Sequence, residues 1–174
     1  YVKTPFCYLI NNPQTQFTDL GYEYQYQELK QFRKAIEDFV GMAISDDALQ
    51  RSIRLHNETR ALLREVYDVR KKDPPLLSGE EALEVVMGSM YLPRERANEL
   101  LRQLVSELME RDEPPVPLGP RIMITGSIID HPALIQLVEE SGGMVVADDL
   151  CSSMRYFWYS VNEDTAPIDG DTGP

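Results

Sequence analysis

Basic residues are scarce in this chain and cysteines scarcer. Its 174 residues hold 17 Lys and Arg against 29 Asp and Glu, a formal net charge of −12, with a pI near 4.6. Binding a duplex means neutralising phosphates with clustered cations, so nucleic acid is excluded as a partner and an anionic membrane surface is disfavoured. The two cysteines, Cys7 and Cys151, lie far apart with no CxxC spacing. That count excludes a disulfide framework and leaves too few thiols for a complete zinc or iron–sulfur site from this chain alone. No apolar run approaches the length of a membrane span, and the first residues lack the charged and apolar regions of a signal peptide, so the expected setting is soluble and cytoplasmic. GxGxxG and the Walker GK[ST] are both missing, which removes the two best-marked phosphate cradles.

What is present is an ordinary globular composition, 43% hydrophobic, in a chain long enough for one domain or pieces of two. The apolar run Phe6 to Ile10, halted by Asn11-Asn12-Pro13, reads as a buried strand. A lone strand cannot satisfy its backbone, so residues 1–20 are expected to be the terminal strand of a missing N-terminal α/β domain. Residues 21–112 read as a helical segment of four helices. Leu29, Phe32, Ile36, Phe39 and Val40 give the first its three- and four-residue spacing. Ser45 caps the second, Ser78 and Glu81 have capping-box spacing at the third, and Pro93 opens the fourth. Residues 113–120, with four prolines in eight positions, form a stiff linker. Beyond it, at 121–174, strand, helix, the pair Gly142-Gly143 and a second strand predict a right-handed βαβ unit with parallel strands, both buried. The polar tail from Asn162 is expected to be poorly ordered. The fold class is therefore α/β: a mostly helical segment followed by the βαβ unit of a parallel, doubly wound sheet.

Ligands of open α/β sheets bind outside the carboxyl ends of the strands. Two such ends are visible, Thr125 to His131 and Asp148 to Arg155, and they bring forward Ser127, Cys151 and Arg155. A thiol just past a strand, with an arginine four residues on, suits a metal ligand whose charge the cation offsets. From spacing alone Cys151 reads more readily as a small buried hydrophobe, the common fate of free cysteine. Gly126 suits a tight turn. His56 lies within a long helix and His131 at a helix start, where Asp130 or His131 can cap; neither requires a catalytic reading. Asp148 and Asp149 have no partner fixed by spacing and receive no acid–base role.

The run Arg121 to Pro132 (RIMITGSIIDHP) and the run Leu137 to Phe157 (LVEESGGMVVADDLCSSMRYF) resemble the second α/β domain of the 2-hydroxyacyl-CoA dehydratase D-component and benzoyl-CoA reductase subunit family. Glu28-Leu29, Ile44-Ser45, His56 to Arg60 and Leu77-Ser78-Gly79 resemble the helical segment joining its two α/β domains. The resemblance spans about Tyr1 to Asp164 and implies a fragment of a larger two-domain subunit. It further implies an electron-driven, oxygen-sensitive enzyme acting on acyl-CoA thioesters, by radical dehydration of 2-hydroxyacyl-CoA or by reduction of benzoyl-CoA type rings. A 4Fe-4S cluster would sit between the domains of the full-length protein, with Cys151 as one ligand and the others outside this chain, so that this chain alone would hold none and be inactive. Ser127 and Arg155 would contact substrate or balance charge. The implied partners are a homologous second subunit, an ATP-dependent activator that supplies the electron, and the acyl-CoA substrate. The alternative from the residues themselves is a non-catalytic α/β interaction module, or a binding module for a small anion at Gly126 and Ser127.

Overall fold

The computed structural model describes residues 4–15, 17–115 and 117–163. They divide into two compact units, one of the described residues up to 53 with 162 and 163, the other of those from 54 to 161. The tail's residues 164–174, expected to be poorly ordered, lie outside the described residues.

The first unit is built on α1 (Asp19–Val40), capped by Thr18, whose side chain accepts the Gly21 N–H, and ended by Gly41 in the left-handed region. Residues 6–10 do not form the expected strand and enter no sheet among the described residues. Its side chains alternate as a strand's would. Phe6 stacks on Phe39 at 4.9 Å and Tyr8 on Phe32 at 5.2 Å, while Cys7 and Leu9 point outward. The period-two pattern is real, but ring contacts on a helix satisfy it. A strand needs a hydrogen-bonded neighbour, and this segment has none among the described residues. Cys7 is consequently exposed, not buried.

In α2 (Asp46–Asp68) the Ser45 hydroxyl accepts the Ala48 N–H at 3.2 Å, as expected from the sequence. The second unit contains the end of α2, a 3₁₀ turn at Val69–Lys71, α3 (Gly79–Tyr91) and α4 (Arg94–Glu110). Ser78 and Glu81 complete the capping box of α3. Leu63, Val66, Leu77 and Val86 are fully buried in one core with Leu101, Leu108 and Phe157. Each such side chain contributes about 1.5–3 kcal/mol through burial.

β1 (Arg121–Thr125), α5 (Ala133–Glu140) and β2 (Met144–Asp149) make the parallel βαβ unit, with Arg121 opposite Met144 and Thr125 opposite Asp149. Gly142, at φ +91°, turns the chain from α5 into β2. β2 is largely buried, but β1 alternates exposed and half-buried residues, so the expectation of two buried strands holds only for β2. Leu83 of α3 joins Ile135 and Val145 in a second core. Gly79 permits that approach, because a Cβ there would lie 2.5 Å from the Val145 Cβ. Glu139 closes the same junction: its buried carboxylate accepts the Gly79 N–H at 2.7 Å and the Val145 N–H at 3.4 Å, placing negative charge at the α3 N-terminus.

Candidate functional site

The carboxyl ends of β1 and β2 are tied to each other beyond the last ladder pair. The Gly126 N–H donates to the Asp149 carbonyl at 3.2 Å, and the Cys151 N–H to the Ser127 carbonyl at 2.9 Å. Gly126 sits in a bend without a left-handed φ. Two serines lock the loops. The Ser152 hydroxyl donates to the Ile129 carbonyl at 2.7 Å and accepts the Ile129 N–H at 3.3 Å, and the Ser153 hydroxyl accepts the Leu150 N–H at 3.2 Å. Cys151 stands just before them, and its thiol is exposed at the strand end, which removes the buried-hydrophobe reading.

Arg155, on the short helix α6 (Met154–Phe157), reaches back over this turn. Its Nε and Nη2 donate to the two carboxylate oxygens of Asp149 at 2.7 and 2.6 Å, and its Nη1 to the Gly126 carbonyl at 2.8 Å, with the Cys151 Sγ 3.9 Å from Nη1. The Thr125 hydroxyl lies 3.4 Å from Asp149 Oδ2. The hydrogen bond from Arg155 holds the Asp149 carboxyl below its usual value against a smaller opposing effect of burial, and Asp149 followed by Cys151 raises Arg155. The three residues singled out from the sequence, Ser127, Cys151 and Arg155, thus share one end of the sheet. Asp149, which sequence reasoning left without a role, joins them.

The neighbouring carboxylate faces the opposite way, as strand periodicity requires. Asp148 accepts Arg70 Nη1 at 2.5 Å and the Tyr67 hydroxyl at 3.1 Å, and Arg70 Nη2 donates to the Val145 carbonyl at 2.8 Å. The Arg70 guanidinium lies 4.7 Å from the Tyr67 ring centroid, and the Tyr67 ring meets Phe157 edge-on at 4.8 Å. Burial, then the Asp148 charge, pushes the Tyr67 hydroxyl well above its ordinary range. Asp148 and Phe157 flank the Cys151 turn in sequence, so this interior network braces it from both sides.

Elsewhere, the His131 Nδ1 accepts the Ala133 N–H at 3.2 Å, a capping role. His56 is held below its usual value by burial and by the charges of Arg94 and Arg60. An open groove of about 440 Å³ lined by Leu55, Glu95, Arg96, Asn98, Glu99 and Arg102 includes none of the strand-end residues. A cubane cluster takes about four thiolates. Among the described residues no three His, Cys, Asp or Glu gather to hold a metal, so the ligands of a whole cluster are not assembled there.

Compared with known proteins, residues 1–170 match the model of a family described as 2-hydroxyglutaryl-CoA dehydratase, D-component. The chain is 30% identical over 163 residues to a subunit of the benzoyl-CoA reductase of Thauera aromatica, covering 90% of this chain and 41% of that protein. It is 25% identical over 157 residues to the (R)-phenyllactyl-CoA dehydratase beta subunit of Clostridium sporogenes, covering 90% and 42%. It is 23% identical over 162 residues to the beta subunit of (R)-2-hydroxyglutaryl-CoA dehydratase from Acidaminococcus fermentans, covering 93% and 42%. The chain therefore spans 41–42% of the length of these relatives.

Proposed function

The chain belongs to the 2-hydroxyglutaryl-CoA dehydratase D-component family, and on that premise we propose that it is part of a subunit of an iron–sulfur, electron-driven enzyme acting on acyl-CoA thioesters. In this reading β1, α5 and β2 begin a doubly wound α/β domain of a two-domain subunit, and the helices before them join it to the other domain. Cys151 supplies one thiolate to a 4Fe-4S cluster whose remaining ligands lie outside the described residues. A cluster held there would accept and pass on single electrons, the chemistry that radical dehydration or ring reduction requires.

The chain's own residues do the holding. The Ser127 carbonyl and the serines at 152 and 153 fix the turn so that the Cys151 sulfur faces outward, Arg155 sets a positive charge beside it, and the Ser127 hydroxyl is offered to substrate. The partners in this reading are a homologous second subunit, an ATP-dependent activator that supplies the electron, and the acyl-CoA substrate, in the cytoplasm. The observation that supports it most is the exposed Cys151 thiol at a strand carboxyl end beside Arg155, in a chain of this family. Iron and sulfide analysis of the anaerobically purified protein with its partner subunit tests it, together with turnover of 2-hydroxyacyl-CoA and aromatic acyl-CoA esters. About four irons per cluster and activity on one thioester class are expected. A protein free of iron and inert toward every thioester would refute it.

A further inference from the structure

We propose that Asp149 is a positioning residue that fixes the Arg155 guanidinium so that one of its N–H groups is directed at the Cys151 sulfur. The inference rests on the reading of Cys151 as a cluster ligand and deepens it. An arginine side chain has many accessible rotamers to lose when it is ordered, and Arg155 projects from a helix of four residues that does little to restrain it. Two parallel hydrogen bonds of 2.7 and 2.6 Å to Asp149 fix the guanidinium plane. Nη1 is the nitrogen left over. It meets the Gly126 carbonyl at 2.8 Å and lies 3.9 Å from the Cys151 Sγ. Asp149 is itself held, by its place opposite Thr125 in the ladder and by the Thr125 hydroxyl. The clamp closes over the turn that carries the thiol.

Hydrogen bonds to sulfur and local charge both set the potential of an iron–sulfur cluster, and for Asp149 the two act in opposite directions. A carboxylate acting only as a nearby negative charge disfavours reduction, so its removal raises the potential. A carboxylate that aims an N–H at the ligand sulfur favours reduction through Arg155, so its removal lowers the potential. The sign of the shift separates the roles.

The test is a redox titration of the anaerobic holoprotein followed by electron paramagnetic resonance. Arg155→Ala should shift the midpoint negative, Asp149→Asn should shift it the same way, and Asp149→Asn added to Arg155→Ala should shift it no further negative. A positive shift for Asp149→Asn alone overturns the proposal. A second readout needs no cluster: in the cluster-free protein, the Arg155 Nε–H resonance, identified by its loss in Arg155→Lys, should exchange slowly with water and become fast in Asp149→Asn. An unchanged exchange rate also overturns it. Failure of the ligand reading shows separately, as full iron retention in Cys151→Ser.

Discussion

Asp148 points into the second unit and meets Arg70 at 2.5 Å, with the two side chains 4% and 0% exposed. Asp149, the next residue, points to the strand's carboxyl end and meets Arg155 at 2.6 Å, with side chains 31% and 44% exposed. The chemistry of the two pairs is the same and the surroundings differ. Two charges removed from water bind each other strongly but offset desolvation only when every polar atom is satisfied. Arg70 Nε is buried with no hydrogen-bond partner among the described residues, so the interior pair fixes geometry at some cost in stability. The outer pair lies in high dielectric, where an ion pair adds little stability, and its effect is to orient a guanidinium beside a thiol. On one strand, the carboxylate facing inward serves the fold and, in the reading proposed above, the one facing outward serves the site.

The largest expected effect comes from breaking the inner pair. Arg70→Ala leaves Asp148 buried and unpaired and should cost about 3–5 kcal/mol in urea unfolding, while Arg70→Met combined with Asp148→Leu should recover most of it. A single variant as stable as wild type would erase the contrast. Glu139, a buried carboxylate paired with backbone N–H groups and with no cation among the described residues, sharpens it: Glu139→Ala should cost about 1–3 kcal/mol by the same measurement, since it strands the Gly79 N–H. Arg155→Ala should leave the unfolding midpoint near that of wild type. A loss comparable to that of Arg70→Ala would mean the outer pair is structural after all.

The smallest effect is in pH. Burial and two arginines depress His56 below 6.5 in the folded state, so protonation favours the unfolded chain. Stability should be full above pH 6.5, the unfolded value, and fall as pH drops from there through the folded value. The slope should disappear in His56→Gln, and a slope of opposite sign would contradict the depression.

The positions of Cys151, Ser127 and Arg155 were legible because strand ends in a parallel pair converge, and the runs that mark β1 and β2 are plain in the sequence. The capping box at Ser78 and Glu81 was legible because it is local. Arg70 was not, since it sits in the run Arg70-Lys71-Lys72, which reads as a solvated helix end. The 3₁₀ turn at Val69–Lys71 instead sends Arg70 inward and the lysines outward. A signal did exist: Leu63, Val66, Tyr67 and Arg70 follow helical spacing on one apolar face. Asp149 was illegible for another reason, because which of two adjacent acids faces the site depends on strand register, and spacing alone does not fix register. The segment at 6–10 shows the converse, a strand pattern whose Phe6 and Tyr8 rings meet Phe39 and Phe32 of α1.

The most direct test of Cys151 as the functional residue of this sheet end is iron content set beside folding stability for wild type and Cys151→Ser, both purified anaerobically as full-length protein with the partner subunit. Cys151 is exposed among the described residues, so the serine variant should unfold at the same denaturant concentration as cluster-free wild type while losing the cluster and all turnover. A Cys151→Ser protein that keeps its full iron and activity would contradict the assignment.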